Sequence, residues 1–166
     1  MDIKTDIMLS GDIWDETIEK LKPIFNTRTN YMLYILSVSV GIVYDKKIEA
    51  LPSSSSESKS VPRMVIHNND NGRLDYLFQA AILNTDTITL SEKERLELAF
   101  NDKCDFDRIG LLTQFANFGI GKIHEQIGSD AVETMQNIMD FLSSSVNGTN
   151  FDIDDISEDI LIQDED

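Results

Sequence analysis

Residues 29–44 read TNYMLYILSVSVGIVY and contain the longest apolar stretch of the chain. The apolar part runs for 14 residues, from Tyr31 to Tyr44, whereas a membrane-spanning helix needs about 20. Its β-branched residues would equally suit a buried strand, but its length favours a helix. Because this helix is apolar on nearly all sides, it is predicted to lie at the centre of the fold. Gly41 within it would allow a neighbouring element to approach closely.

Amphipathic segments on either side of this stretch predict further helices, because their apolar residues recur at steps of three and four. Ser91 and Glu94 form a capping box at the start of one of them. Gly128 is predicted to close another. Ser129 or Asp130 is predicted to cap the last. The predicted helices cover about residues 12–25, 72–84, 91–101, 105–127 and 129–144.

The same helical spacing predicts which side chains face the core. Residues three, four or seven positions apart share one side of a helix, so each apolar series should be buried together. These residues are Leu96 and Phe100 in the 91–101 helix, and Val132, Met135, Ile138 or Met139, and Leu142 in the 129–144 helix.

The remaining segments are predicted to be loops. Residues 46–62 are rich in serine and proline, which predicts a flexible surface loop. Residues 63–67 are predicted to be a short extended segment, and residues 68–72 a turn. The chain is therefore predicted to be all-α, with a single compact domain of about six helices over residues 1–146 and an acidic tail over residues 147–166.

The C-terminal end of the chain is strongly acidic. Residues 123–166 contain twelve carboxylates and no lysine or arginine. The formal charge of the chain is −16, and the last twenty residues account for half of it. Such a surface repels phosphate backbones and anionic lipids and attracts basic protein surfaces. We therefore expect a basic protein partner, no direct nucleic-acid binding and no membrane association.

The tail alternates acidic and apolar residues, so it is expected either to be disordered until it binds a partner or to pack its phenylalanine and isoleucines on the body. Its apolar side chains are predicted to be the anchors, and its carboxylates to meet basic groups. The predicted partner-binding residues are Phe151, Asp152, Ile153, Asp154, Asp155, Ile156, Glu158, Asp159, Ile160 and Leu161.

A smaller set of basic residues flanks the 29–44 helix and the loop after it. At a net charge of −16 these residues would have to form one local face in order to contact DNA. The alternative is scattered charge that only increases solubility. The candidate basic face comprises Arg28, Lys46, Lys47, Arg63 and Arg73.

The sequence contains no pattern typical of a catalytic or metal site. Cys104 is the only cysteine, and Asp102 and Asp105 beside it disfavour a thiolate. His67 and His124 each lack a second histidine or cysteine at ligand spacing. The carboxylates of the tail do not match the spacing of an EF-hand loop. We expect no catalytic residue, no metal, no cofactor, and a reducing, cytoplasmic compartment.

Three stretches carry a family resemblance. They are Ile24-Phe25 with the apolar helix ending in Gly41-Ile-Val-Tyr-Asp-Lys-Lys47, Asn71-Gly-Arg-Leu-Asp-Tyr-Leu77 leading into Ala80-Ala-Ile-Leu83, and Phe115-Ala-Asn-Phe-Gly-Ile120. Over about residues 24–127 the chain resembles the small helical proteins associated with bacterial DNA phosphorothioation (Dnd) systems. The resemblance implies a cytoplasmic, non-catalytic accessory protein of a multi-protein DNA-modification or anti-phage defence system. It carries over no catalytic residue.

Two functional hypotheses follow from the charge and the resemblance. The first is an accessory interaction protein that docks on a basic protein partner through its acidic surface and tail. The alternative is an acidic DNA mimic that inhibits a DNA-binding protein, which requires ordered rows of carboxylates on a rigid frame.

Overall fold

The structure is a computed structural model that describes residues 3–25, 29–54, 58–101 and 104–146. These residues form seven helices and one two-stranded sheet, which confirms the predicted all-α fold. Six of the helices coincide with predicted ones to within a few residues. The helices are α1 (Asp12–Phe25), α2 (Thr29–Val43), α3 (Arg63–Asn69), α4 (Arg73–Asn84), α5 (Glu92–Phe100), α6 (Arg108–His124) and α7 (Ala131–Val146), and the strands are β1 (Ile7–Leu9) and β2 (Lys59–Val61).

Helix α2 lies at the centre of the core, as its apolar sequence predicts. It contacts α1, α4, α6 and β2. Leu33, Tyr34 and Val38 are completely buried along it, so apolar residues on several sides of the helix find partners. Burying a leucine or valine side chain completely contributes about 1.5–3 kcal/mol, so α2 contributes substantially to the stability of the core.

Helices α2 and α6 approach each other backbone to backbone. Gly41 of α2 lies against the backbone of Phe115, and Gly119 of α6 lies against the backbone of Ser37. A methyl group at either glycine would lie less than 3.0 Å from a carbonyl oxygen of the other helix. The predicted close approach at Gly41 is therefore confirmed, and Gly119 provides the matching contact from the other side.

Residues 46–54 are held against the body by hydrogen bonds. The side-chain amide of Asn117 donates to the carbonyls of Ile48 (3.2 Å) and Glu49 (3.5 Å). The backbone amide of Ile48 in turn donates to the carbonyl of Gln114 (2.9 Å). Residues 46–54 contain no helix or strand, as predicted, and a buried polar side chain of α6 supplies them with hydrogen-bond partners that the composition does not reveal.

A two-stranded sheet closes one end of the core and was not predicted. Strand β2 comes from the predicted loop and pairs antiparallel with β1, which places Ile7 opposite Val61. Both of these side chains are buried. The side chain of Asn30 donates to the carbonyl of Ser60 (2.7 Å) and ties β2 to the start of α2. Three residues per strand are too few for an alternating pattern to stand out in the sequence.

Helix α3 occupies the segment predicted to be extended, so that prediction is wrong. The helix begins after Pro62, whose φ of −61° suits a helix start, where no amide hydrogen is needed. Ile66 is its buried residue, and a single buried position gives no periodic apolar pattern. The turn predicted over residues 68–72 is confirmed in part. Asn68 and Asn69 still belong to α3, whereas Asn71 and Gly72 form a turn, with φ angles of 49° and 82°.

Two predicted core residues of α5 are exposed instead. Leu96 is 52% exposed and Phe100 is 63% exposed, whereas Ala99 is buried. Among the described elements, α5 makes its principal contacts with α4 alone. The reason for the error is that one neighbour covers only one side of a short helix, and the apolar pair lies on another side.

Helix α7 shows the same departure on a larger scale. Val132, Met135 and Met139 were predicted to face the core, but they are 73%, 47% and 55% exposed. Ile138 is buried and Leu142 packs partly buried against the core, which confirms the other predicted positions. The apolar arc of α7 is therefore wider than the surface of the body that covers it.

The predicted helix ends are confirmed in part. Ser91 and Glu94 form the capping box, with the Ser91 amide 2.8 Å from the Glu94 carboxylate. Asp130 caps α7, because its side chain accepts from two amides of the first turn. Helix α6 ends at His124, so the prediction that Gly128 closes it is wrong. The residue after His124 stays right-handed, and no left-handed glycine is needed there.

Because the phenol of Tyr34 is buried, we expect the protein to lose stability at alkaline pH. Burial raises the pKa of Tyr34, and its hydroxyl lies 3.2 Å from the Thr113 hydroxyl. In the unfolded chain a tyrosine loses its proton near pH ~10. The folded state keeps this proton to higher pH than the unfolded state does. The contribution of Tyr34 to the free energy of unfolding is therefore fully present below about pH 10 and is lost as the pH rises further.

We expect Tyr34→Phe to flatten the decline of the free energy of unfolding above about pH 10. The measurement is urea unfolding followed by circular dichroism at several alkaline pH values. Thr113→Val is the control, because it removes the hydrogen bond but keeps the ionisable phenol, and its decline should match that of the parent protein. Equal slopes for the parent and Tyr34→Phe would contradict the prediction.

Candidate protein-interaction surface

The exposed apolar residues of α7 form one continuous strip, which we call the α7 face. It consists of Val132, Met135 and Met139, at steps of three and four along the helix. Residues with this spacing lie on one side of a helix, so the three side chains adjoin one another. Scattered single apolar residues are normal on a protein surface, but an aligned set on one helix is typical of an interaction site.

Helix α7 is fixed firmly enough to present this face in one orientation. Thr134 is buried, and its hydroxyl accepts from the amide of Gly128 (3.0 Å). Asn137 donates to the carbonyl of Gln126 (3.2 Å), on the chain before the helix. Further along, the ring of Phe141 stacks on a tyrosine ring at the end of α2, with 6.5 Å between centroids. The buried side of α7 is thus anchored at three levels.

The ionised groups on α7 itself are both acidic. Glu133 lies in its first turn and Asp140 in its third, and the cap before the helix is Asp130. Hydrogen bonds from the Ser129 side chain and amide hold the pKa of Glu133 below its usual value, so this carboxylate is charged at neutral pH. The last lysine or arginine of the chain is Lys122, which precedes the helix.

An open groove of about 610 Å³ extends the acidic surface away from α7. It lies between α1 and the end of α6, and Ile127 at its edge is close in sequence to the start of α7. The hydrogen bond from the Lys22 ammonium lowers the pKa of Glu19, which is therefore charged at neutral pH. The groove is lined by Asp15, Glu16, Glu19, Lys20, His124 and Ile127.

The histidine of this groove has a structural role. His124 Nδ1 lies 2.9 Å from the Thr17 hydroxyl, and His124 Nε2 lies 3.8 Å from the Glu16 carboxylate. A hydroxyl, an imidazole and a carboxylate in series suggest a catalytic triad, but Thr17 is completely buried and cannot reach a substrate. The contact instead ties the end of α6 to α1.

A smaller, polar cavity of about 310 Å³ lies beside α3 and includes His67. Its central carboxylate, Asp70, accepts from the amides of Gly72 and Leu74 and from the Tyr31 hydroxyl (3.2 Å). These bonds hold the turn between α3 and α4. His67 itself is exposed on α3. Within residues 3–25, 29–54, 58–101 and 104–146, no group of three histidine, cysteine or acidic side chains is placed to hold a metal ion.

The structure does not bring the candidate basic residues onto one face. Lys46 and Lys47 follow the C-terminal end of α2, and the amide of Lys46 bonds back to Gly41. Arg63 and Arg73 lie by the other end of α2, on helices joined to its start through Tyr31 and β2. About 18 Å of helix separates Tyr31 from the last residue of α2. Arg28 lies outside the described residues.

The predicted tail contacts also lie outside the described residues, because these end at Val146. Cys104 is a free, half-buried thiol next to Asp105. No helix in the part of the chain that the structure describes combines the length and apolar character needed to cross a bilayer.

Nothing in the sequence indicates that the α7 face is exposed. Val132, Met135, Ile138, Met139 and Leu142 span about a third of the helix circumference, which is the width of an ordinary buried side. The burial of each position depends on which neighbour α7 meets.

No family model, curated protein or solved structure matches the chain.

Proposed function

We propose that the protein is a non-catalytic interaction protein that docks on a basic protein partner through its acidic C-terminal surface and tail. In this proposal α7 supplies the ordered part of the contact and residues 147–166 supply the rest. The folded body presents these parts and performs no chemistry. The partner is a folded protein or segment with clustered lysine and arginine.

One observation carries the proposal. Exposed apolar side chains and ionised carboxylates occur together on α7, and no lysine or arginine follows Lys122. Apolar contacts supply affinity once water is displaced, while charge supplies long-range attraction and discriminates between partners. A face with both features suits a protein partner better than a small molecule, which would require an enclosed pocket.

The biological setting comes from the resemblance to Dnd-associated proteins over about residues 24–127. We propose on that basis a cytoplasmic accessory of a prokaryotic DNA-modification or anti-phage defence complex. The resemblance involves core residues such as Gly41 and Phe115, which pack α2 against α6. It therefore supports a shared fold more directly than a shared partner.

The alternative of a DNA mimic receives less support from the described residues. Helix α1 has the nearest approach to a row of carboxylates. However, Asp12 of this row accepts hydrogen bonds from Ser54 (2.8 and 3.0 Å), and Glu19 pairs with Lys22 and Lys59. A mimic needs an extended array of unneutralised charges, and these pairs interrupt it.

The proposal predicts that the tail is required for partner recovery. We expect deletion of residues 147–166 to reduce the amount of partner recovered from the native host by about tenfold or more, because half of the net charge is lost. The measurement is affinity purification with quantitative identification of the proteins that co-elute. The matched control is a full-length variant in which the eight tail carboxylates are changed to amides. It removes the charge of the tail and keeps its length.

Three outcomes separate the possibilities. Loss of the same basic protein from both variants, and its release by moderate salt, would support docking through charge. Recovery unaffected by either variant would exclude the tail as the contact. Release of the partner by added duplex DNA would instead favour the DNA mimic.

A further inference from the structure

We propose that the α7 face is the docking site for an amphipathic helix whose polar side is basic. This inference rests on the proposed function and names the contact surface and the kind of partner. It goes further in assigning the ordered part of the contact to Val132, Met135 and Met139, which are exposed although they lie on an anchored helix.

The shape and chemistry of the face fit a helix. Val132, Met135 and Met139 are aligned over seven residues, or about 10 Å of helix, which matches two turns of a partner helix. Methionine is flexible and polarisable, so two methionines in three positions allow the surface to adjust to different apolar side chains. A flat, adaptable strip of this kind receives one side of an amphipathic helix.

The charges beside the strip determine which helix fits. Glu133 and Asp140 are seven residues apart and therefore lie on the same side of α7, about 100° around the helix from Val132 and Met139. Long lysine or arginine side chains on the flank of a partner helix, at a spacing of seven, would extend toward these two carboxylates.

The net charge argues against two other occupants. A second copy of the chain would bring together two molecules that each carry a formal charge of −16. The protein's own tail would bring eight more carboxylates and no cation. Like charges in direct opposition destabilise a contact, so both occupants are disfavoured relative to a basic helix.

The test uses the full-length protein and a synthetic peptide of about 18 residues, five turns of helix. The peptide carries leucine on one side and lysine on the other, and its counterpart has glutamate in place of lysine. Fluorescence anisotropy of the labelled peptides at low ionic strength gives the dissociation constants. We expect the lysine peptide to bind, and Met135→Ser/Met139→Ser to weaken its binding about tenfold or more, which corresponds to at least ~1.4 kcal/mol.

A matched control comes from the other exposed apolar pair. Leu96→Ser/Phe100→Ser removes similar exposed side chains from α5, and we expect it to change the dissociation constant less than about twofold, because the site is not on α5. Both double variants alter exposed residues, so both should fold, which circular dichroism checks.

Each outcome has a defined meaning. Peptide binding that is insensitive to Met135→Ser/Met139→Ser would overturn the α7 assignment while leaving the proposed function standing. No binding of the lysine peptide, or equal binding of the glutamate peptide, would overturn both. A dimer that Met135→Ser/Met139→Ser dissociates would assign the face to a second copy. Tighter peptide binding after the tail anchors Phe151, Ile153 and Ile156 are changed to serine would assign it to the tail.

Discussion

Replacing Gly119 by alanine is expected to destabilise the protein by about 3 kcal/mol, at the upper end of the usual cost of overpacking. The added methyl group would lie less than 3.0 Å from the backbone carbonyl of Ser37. That obstacle is the main chain of the central helix, so it cannot move aside as a flexible side chain would. The helices must separate, and the buried side chains between them then lose contact.

The same helix offers a control two residues away. A Cβ on Gly121 would meet nothing within 4 Å. Alanine is the better helix former, so Gly121→Ala should stabilise the protein by about 0.5–1 kcal/mol. Gly41→Ala should resemble Gly119→Ala, because its methyl would meet the backbone of Phe115.

Denaturant unfolding followed by circular dichroism measures all three changes. If Gly119→Ala lowers the free energy of unfolding and Gly121→Ala raises it, the close approach of α2 and α6, and not helix propensity, determines the loss of stability at Gly119. A loss smaller than about 1 kcal/mol for Gly119→Ala would mean that α2 and α6 separate easily, and would contradict the contact described here.

The glycine contact also indicates how much of the fold the sequence could predict. The apolar composition of residues 29–44 identified the central helix, and Gly41 within it indicated a close neighbour. The other five predicted helices follow from periodicity, because they are long enough for a pattern to repeat. The sheet and α3 were missed, since three to seven residues are too few for a repeat. The sheet also forms between residues that are distant in sequence, such as Ile7 opposite Val61, which a local pattern does not reveal.

The candidate surface was predicted only in its charge. The acidic composition after Lys122 is visible in the sequence alone, and it gave the basic partner as an expectation. The exposure of Met135 and Met139 was not visible, because an apolar series on a helix predicts burial whenever a neighbour is assumed on that side. In the structure no neighbour among the described residues covers that side of α7: Ile138 is buried against the body, whereas Met135 and Met139 are exposed to solvent.

Asn117 provides the second large effect, because one buried amide joins three parts of the fold. Its Oδ1 accepts from the indole nitrogen of Trp14 (3.0 Å), and its Nδ2 donates to the carbonyls of Ile48 and Glu49. Asn117 lies within the apolar stripe of α6 and is buried. Sequence reasoning gave it no role, because a polar residue in such a stripe gives no indication of which distant groups it serves.

We expect Asn117→Ala to destabilise the protein by roughly 3 kcal/mol, because the buried Trp14 indole would lose its acceptor and a small cavity would form. Trp14 is the only tryptophan, so its fluorescence reports directly on this site. Asn137→Ala is the matched control. Asn137 is half-buried and makes one hydrogen bond, to Gln126, so its loss should cost about 1 kcal/mol.

Amide exchange at Ile48 distinguishes loss of the Asn117 hydrogen bonds from simple loss of side-chain volume. The amide of Ile48 donates to Gln114 and should exchange slowly with solvent in the parent protein. In Asn117→Ala the segment around Ile48 loses two anchoring bonds, so this amide should exchange faster than the global change in stability explains. If Ile48 keeps its protection while stability falls, the asparagine acts through packing against Trp14 alone. A double-mutant cycle with Trp14→Phe measures that coupling, which should be about 1 kcal/mol or more for groups in direct contact.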